Sequence, residues 1–209
     1  MIGRHSIVRA AGAAFAMVAA SAALSAPAQA GVLTRSATGC DTPELSQAFK
    51  PWADPSAYKL VDGGDFENGT DGWVLSGGAK VVGGDATSRI GDSGENGSLL
   101  LPAGSSVTTP PVCVGLSEPT LRFFARKNSG LLSTMTVWVM VQTSVGMWVT
   151  LPIGADLGGA WHPSLPMLVV ANLLPLLPPD QTAVKFRFAP ILGGSWQVDD
   201  VYVDPMRHG

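Results

Sequence analysis

The chain has 209 residues with 13 basic and 16 acidic side chains, which gives a formal net charge of −3. An acidic balance argues against nucleic acid or an anionic membrane surface as a partner. The 25 glycines and 16 prolines are spread along the chain, so turns are expected to divide it into short segments.

Residues 1–30 have the features of a secretory signal peptide. Arg4 and Arg9 flank the start of an apolar run of small residues, and Ala28 and Ala30 meet the small-x-small rule for cleavage. Cleavage after Ala30 would leave a chain of natural size for one domain. We therefore predict a secreted, extracellular protein that leaves a bacterial cell by the Sec-type route. No later segment is predicted to span a membrane, because prolines interrupt the most apolar stretch.

The predicted export determines how the two cysteines, Cys40 and Cys113, are interpreted. In an oxidising compartment an even pair indicates a disulfide, which here would close a long loop and stabilise the fold by about 4 kcal/mol. The bond would tie an N-terminal extension, residues 31–56, to a domain at 57–205. A metal site is disfavoured because neither cysteine has a second Cys or a His at ligand spacing.

The first predicted element is a short N-terminal helical turn over 42–49 (TPELSQAF), where Thr42 with Glu44 or Gln47 would cap one or two turns. Later segments have the period-two pattern of β-strands. Short strands separated by turn signals predict an all-β, antiparallel sandwich or barrel. The predicted strands are 57–62, 72–77, 79–82, 98–102, 120–127, 133–143, 146–153, 182–188 and 195–204.

Alternation within three of these strands separates a core face from an outer face. Met135, Val137, Val139 and Val141 share one face of 133–143, and 120–127 and 182–188 alternate in the same way. If the three strands were neighbours, their outer residues would form one surface: Arg122, Phe124, Arg126, Thr134, Thr136, Trp138, Gln142, Lys185 and Arg187.

An aromatic platform flanked by hydrogen-bond donors suits a sugar ring. The alternative is an ordinary solvated sheet face with a partly covered Trp. The predicted ligand-binding residues are Trp138, Arg122, Arg126, Thr136, Gln142 and Arg187.

Catalytic chemistry has few candidate residues. His5 lies in the predicted signal peptide and His208 is next to the C-terminus, so a Ser-His-Asp arrangement would depend on His162. No G-x-S-x-G motif supplies a nucleophile. Asp and Glu side chains are available for glycosidic cleavage, but they fall in turns without visible apolar surroundings. We therefore predict no catalytic residues and no organic cofactor.

Two stretches resemble the first and last strands of galactose-binding-like jelly rolls, the fold of many carbohydrate-binding modules. The first is GGDFENGTDGWVLSGGAKVV at 63–82, and the second is GGSWQVDDVYVDP at 193–205. The chain also resembles stand-alone secreted actinobacterial proteins with the pattern C…PW.D…GG.FE.G..GW.LSGGA. The matching residues are Gly64, Phe66, Glu67, Gly69 and Trp73 in the first stretch and Val198, Asp199, Asp200 and Val201 in the second.

The resemblance implies an antiparallel β-sandwich of jelly-roll type over 57–205. In that family the first and last strands lie side by side, and acidic residues from each often bind a structural calcium. Carried over, this nominates Glu67 with Asp199 or Asp200, and also Asp65. Strict alternation in 195–204 puts Asp199 on one face with Val201 and Val203, which favours Asp199 as the inward ligand. The alternative is that these carboxylates only cap turns and pair with cations.

The leading functional prediction is a secreted non-catalytic protein that binds an extracellular glycan or a cell-surface polymer. Two other classes remain open at this point: an extracellular polysaccharide hydrolase or lyase, and a purely structural envelope protein. Resemblance to a sugar-binding fold does not by itself transfer sugar binding.

Overall fold

The structure, a computed structural model, describes residues 44–84, 95–115, 119–169 and 181–204, together with Ala37 and Cys40. The predicted signal peptide at 1–30 lies outside the described residues. Within them, no helix is long and apolar enough to cross a membrane.

Almost all regular structure in the described part of the chain is β. One 3₁₀ turn at Lys50–Trp52 precedes thirteen strands there. The strands are β1 (Lys59–Leu60), β2 (Val74–Ser76), β3 (Lys80–Gly83), β4 (Gly97–Leu101), β5 (Ser106–Thr108), β6 (Val112–Val114), β7 (Thr120–Ser129), β8 (Thr134–Gln142), β9 (Trp148–Asp156), β10 (His162–Pro163), β11 (Met167–Leu168), β12 (Thr182–Ile191) and β13 (Ser195–Asp204).

The strands form two antiparallel sheets that pack face to face. The first sheet has the order β10–β7–β13–β4–β3, with β1 also paired to β13 and β11 to β7. The second has the order β2–β5–β12–β8–β9, with β6 also paired to β12. One apolar cluster with residues from both sheets forms the core. This architecture confirms the predicted all-β antiparallel sandwich of jelly-roll type.

The period-two pattern correctly identifies the core side of the long strands. The inward residues of β8, from Met135 to Val141, are almost fully buried, as are Val184, Phe186 and Phe188 of β12. Each alternate residue of such a strand points to the opposite face of its sheet.

The helix predicted over 42–49 is wrong in position across its described part, 44–49, and Thr42 lies outside the described residues. Ser46 exchanges both backbone hydrogen bonds with Tyr58, at 2.9 and 2.7 Å, which is a β-bridge and not a helical pairing. The helical turn lies later, at Lys50–Trp52, with a proline in its first two positions. Proline suits the start of a helix because its missing N–H would have no partner there.

Strand β13 contains a bulge that strict alternation does not predict. The pairing of β13 with β7 shifts register between Asp199 and Tyr202, and Asp200 adopts a positive φ of 49°. An extra residue in one strand reverses the facing of the residues that follow. Val198 and Val201 therefore both belong to the core, and the assignment of Asp199 to the face of Val201 is wrong.

The chain before β1 covers part of the outer face of the first sheet. Phe49 and Tyr58 are buried against Phe124 of β7 and Tyr202 of β13, forming a second apolar cluster. The rings of Phe49 and Phe124 stack in parallel with their centroids 5.1 Å apart. The covered part of this outer face is therefore a packed interior and not a solvated surface.

Arg122 of β7 binds this covering segment to the sheet. Its guanidinium donates to the Asp54 carboxylate at 2.5 Å and, through two nitrogens, to the Ser164 carbonyl at 3.1 and 3.0 Å. It also lies 4.0 Å from the ring centroid of Phe49. Partial burial raises the pKa of Asp54, but hydrogen bonds from Tyr58 and Ser56 and the Arg122 charge lower it below its ordinary value.

One disulfide and one side-chain pair link separate parts of the sandwich. Cys40 and Cys113 form the predicted disulfide, with a Cα–Cα distance of 5.9 Å. At the β9 edge, His162 of the first sheet lies 3.1 Å from both carboxylate oxygens of Asp156 in the second. The pair joins the edges of the two sheets.

The first prediction concerns Arg122. The substitution Arg122→Met should lower the free energy of unfolding by about 3 kcal/mol or more, because the Asp54 carboxylate and the Ser164 carbonyl lose their buried partner. Urea denaturation measures the change. The exposed Arg187 is the matched control: Arg187→Met should change stability by less than about 0.5 kcal/mol. Equal effects of the two substitutions would contradict the role assigned to Arg122.

The second prediction concerns pH. The Nδ1 atom of His162 lies 2.7 Å from the Ala160 carbonyl oxygen, which can only accept a hydrogen bond. The Nε2 atom of His162 faces the Asp156 carboxylate. The hydrogen bond with Asp156 raises the pKa of His162, burial opposes the rise, and the Ala160 carbonyl adds to it. A raised folded pKa means that the stabilisation is complete below the unfolded value of about 6.5 and is lost as pH rises through the folded value.

We therefore expect the free energy of unfolding to fall as pH rises above about 6.5, and the His162→Gln variant to lose this dependence. Urea denaturation at a series of pH values, with both proteins in the same buffers, measures it. A wild-type profile that is flat, or that rises above that pH, would count against a charged cross-sheet pair.

Candidate functional site

The six predicted ligand-binding residues do not form one surface. β7 belongs to the first sheet, whereas β8 and β12 pair with each other in the second. Arg122 and Arg126 therefore lie on the opposite side of the sandwich from Trp138 and Arg187. The assumption that the three strands are neighbours is correct for two of them and wrong for β7.

The two arginines of β7 make internal contacts. Arg122 is buried in the contacts described above. Arg126 donates to the side-chain oxygen of Gln197 at 2.6 Å, and Gln197 donates to Ser98 at 2.8 Å, so a polar ladder crosses β7, β13 and β4. The Arg126 guanidinium also lies 5.2 Å from the ring centroid of Trp161. Arg122 is therefore unsuited to contact a glycan, which corrects its assignment.

The second sheet places Trp138 at the centre of its outer face. Strand register aligns Pro152 of β9, Trp138 of β8, Arg187 of β12, Thr108 of β5 and Val74 of β2 in one row across the sheet. The ring of Trp138 is half-buried and Arg187 is exposed. The row is an apolar platform with a cation and a hydroxyl beside it.

Hydroxyl groups extend this platform along the sheet. Arg187 donates to the Ser106 hydroxyl at 3.2 Å, and that hydroxyl lies 2.8 Å from the Ser76 hydroxyl. Thr136 is on β8 two residues from Trp138, and its hydroxyl oxygen is buried without a hydrogen-bond partner among the described residues. Gln142 is at the far end of β8. Four of the six predicted residues, Trp138, Thr136, Gln142 and Arg187, therefore share this face.

A second tryptophan on this face was not predicted to bind ligand. Trp148 of β9 pairs with Gln142 and is 47% exposed. Lys185 of β12 reaches across β8, so that its ammonium lies 5.5 Å from the Trp148 ring centroid. Alternation within 146–153 places Trp148, Thr150 and Pro152 on one face of the strand and would have indicated Trp148 as a second outward tryptophan.

The predicted calcium ligands do not form a cluster. One Glu67 carboxylate oxygen accepts hydrogen bonds from the backbone N–H groups of Asn96 and Gly97, at 2.8 and 2.5 Å. Asp65 accepts a weak bond from the Glu67 N–H at 3.4 Å, and Asp199 accepts one from the Asp200 N–H at 2.9 Å. No group of three or more His, Cys, Asp or Glu side chains suited to a metal ion is found in the described part of the chain. Calcium binding stays a prediction.

The glycine-rich stretch at 63–82 has a structural role in the described fold. Phe66 and Trp73 are buried with their ring centroids 4.9 Å apart, and the Trp73 indole N–H donates to the Asp62 carbonyl at 2.8 Å. Gly64 has no room for a side chain, since a Cβ there would lie 2.8 Å from the Val61 carbonyl oxygen. Both rings belong to the central apolar core.

His162 does not have the arrangement of a catalytic base. A catalytic triad needs one ring nitrogen bonded to the orienting acid and the other directed at the nucleophile. Here Nε2 faces Asp156 and Nδ1 faces the Ala160 carbonyl. Both nitrogens are occupied, so the pair serves to join the sheets.

The third prediction separates a structural role of Glu67 from a metal role. Glu67→Gln should lower the free energy of unfolding by about 1.5–3 kcal/mol, because the bonds from Asn96 and Gly97 lose a charged acceptor. The loss should persist in excess chelator. Calorimetric melting of both proteins with a chelator and with calcium chloride measures it. A wild-type melting temperature that rises with calcium, and does not rise in the variant, would instead establish Glu67 as a ligand.

No protein-family model matches the chain, and no curated protein is similar to it in sequence. Similar solved structures include the CBM22-1–GH10 modules of the Clostridium thermocellum xylanase Xyn10B complexed with xylohexaose, with 13% identity over 67% of this chain and 27% of that one, and a TM-score of 0.47. The CBM22-1 xylan-binding domain of Paenibacillus barcinonensis Xyn10C has 15% identity over 69% of this chain and 93% of that one, with a TM-score of 0.43.

A third similar structure is the family 11 carbohydrate-binding module of Clostridium thermocellum in complex with a mixed-linked tetrasaccharide. It has 14% identity over 70% of this chain and 95% of that one, with a TM-score of 0.40. These three structures each contain a carbohydrate-binding module. At these identities and TM-scores, the likeness does not transfer a ligand to this chain.

Proposed function

We propose that the protein is a secreted, non-catalytic carbohydrate-binding protein and that the glycan lies on the outer face of the second sheet. The observation that carries this proposal is the pair of Trp138 and Trp148 on neighbouring strands of that face. Tryptophan exposes a large apolar ring with a polar edge, which suits the apolar face of a sugar. The hydroxyl, amide and cationic groups beside the rings would bond to sugar hydroxyls.

The spacing of the two rings favours an oligosaccharide over a single sugar. Trp148 pairs with Gln142, four residues along β8 from Trp138, so their Cα atoms lie about 14 Å apart. A glycan chain that contacts both tryptophan rings would cross Met140 and Thr150, a cross-strand pair that lies between the two rings. Contacts at two separated platforms raise affinity because the second contact is made within the same complex.

The two outer faces of the sandwich differ in what they offer a ligand. On the first sheet, the ring of Phe124 is fully buried beneath the chain before β1. On the second, Trp148 and Arg187 are exposed. Binding on the second face therefore requires no displacement of the covering segment, and ordering a preformed sheet face costs little conformational entropy.

The fourth prediction tests the platform. Trp138→Ala should weaken binding to a polysaccharide that the wild type retains by about tenfold or more, because a central aromatic contact is lost. Trp148→Ala should weaken it in the same direction. Affinity electrophoresis in gels that contain xylan, β-glucan, galactan or polygalacturonate measures the effect.

Trp161→Ala is the matched control, because it removes a half-buried tryptophan that packs against the outer cluster of the first sheet. It should leave retention unchanged, and circular dichroism should verify that each variant is folded. Retention that survives both Trp138→Ala and Trp148→Ala would reject this face as the site. Release of reducing ends from any of these polymers would favour a hydrolase, and no retention by any of them would favour an envelope protein without glycan binding.

A further inference from the structure

We infer that the glycan bound on this face is anionic, and that carboxylates of uronic acid residues contact Lys185 and Arg187. This inference rests on the proposed function and specifies its substrate class. Both cations lie on β12, the strand between β5 and β8, and both point to the outer face because Val184, Phe186 and Phe188 point to the core.

The charge on this face is opposite in sign to that of the chain. Acidic residues outnumber basic ones in the sequence by 16 to 13. The outward positions of β2, β5, β8, β9 and β12 nevertheless carry no Asp or Glu, and their charged side chains are Lys185 and Arg187 alone. The acid within β9, Asp156, pairs with Met135 and is buried. A face with charge of one sign attracts ligands of the other.

The two cations have no acidic partner within the described residues. The ion pairs found there are Arg122 with Asp54 and His162 with Asp156. Lys185 and Arg187 lie instead beside tryptophan rings, with the Arg187 guanidinium carbon 6.0 Å from the Trp138 ring centroid. A cation next to an aromatic ring without a carboxylate keeps its charge available to a ligand.

The arrangement of groups matches one uronic acid residue better than a neutral sugar. A uronic acid residue has an apolar ring face and carries a carboxylate beside it. Each of the two tryptophan rings here has a cation within 6.0 Å of its centroid, so a sugar ring stacked on the tryptophan would hold its carboxylate near that cation. Arg187 is oriented by its bond to the Ser106 hydroxyl, and a guanidinium fork matches the two oxygens of a carboxylate. Two residues on one face of a strand are about 7 Å apart, so Lys185 would contact a neighbouring part of the same glycan chain.

The fifth prediction compares polygalacturonate with the same polymer after its carboxyl groups have been reduced to alcohols. At low salt the wild type should bind the acidic polymer about tenfold or more tightly than the reduced one, and sodium chloride should weaken the binding by screening. The double variant Lys185→Gln with Arg187→Gln should bind both polymers equally. Isothermal titration calorimetry measures all four affinities.

The charge-matched control is Lys50→Gln with Lys80→Gln, since both lysines are exposed and lie outside the second sheet. It should keep the preference for the acidic polymer.

Equal wild-type affinity for the acidic and reduced polymers, with both affinities lost in Trp138→Ala, would overturn the inference and leave the proposed function intact. Binding of dextran sulfate as tightly as polygalacturonate, with the same dependence on both cations, would overturn the carboxylate assignment. Binding that is unaffected by Trp138→Ala and Trp148→Ala would reject this face as the binding site, whereas no binding to any of the polymers would reject the proposed function itself.

Discussion

The contact of Arg122 with Asp54 and Ser164 determines which side of the sandwich is available to a partner. A buried guanidinium is tolerated only when its charge and its donors are satisfied, and here a carboxylate from the chain before β1 and a carbonyl from the β10–β11 segment satisfy them. The same contact brings Phe49 onto Phe124. The covered part of the outer face of the first sheet becomes interior, whereas Trp148 and Arg187 on the second sheet stay exposed.

The bulge at Asp199 and Asp200 shows how the last strand joins two apolar clusters. Before the bulge, Trp196 and Val198 point to the central core; after it, Val201 does, while Tyr202 points to the outer cluster. The positive φ at Asp200 is uncommon for a residue other than glycine, but aspartate tolerates it better than most. The double aspartate is therefore explained in part by backbone geometry, without a metal ion.

Local patterns predicted the strands well and their partners poorly. Alternation identified the core side of β7, β8 and β12, because burial on one face leaves a period-two trace in the sequence. Which strands become neighbours depends on contacts between distant segments, and this is why Arg122 and Trp138 were wrongly placed together. Strands β5, β6, β10 and β11 have two or three residues each, too few for a period to be seen.

The candidate site was predictable only where a residue's role depends on its own strand. The outward position of Trp138 was predictable because an aromatic residue at such a position is visible by alternation alone. The role of Arg122 was not, because its outward position indicates exposure and the covering segment comes from 68 residues earlier in the chain. The Glu67 contact with Asn96 and Gly97 was missed for the same reason, since it joins positions 29 and 30 residues apart.

The cations on the second face constrain the chemistry of what can cover it. A glycan lying across Trp138 and Trp148 would remove water from Lys185 and Arg187, whose charged groups lie within 6.0 Å of those rings. Burying a cation without a compensating charge is costly, and hydroxyl groups recover only part of the lost hydration. A carboxylate supplies both the charge and the acceptor oxygens. The same two residues that would penalise a neutral glycan would therefore favour an acidic one, so the proposed selectivity would follow from desolvation as much as from attraction.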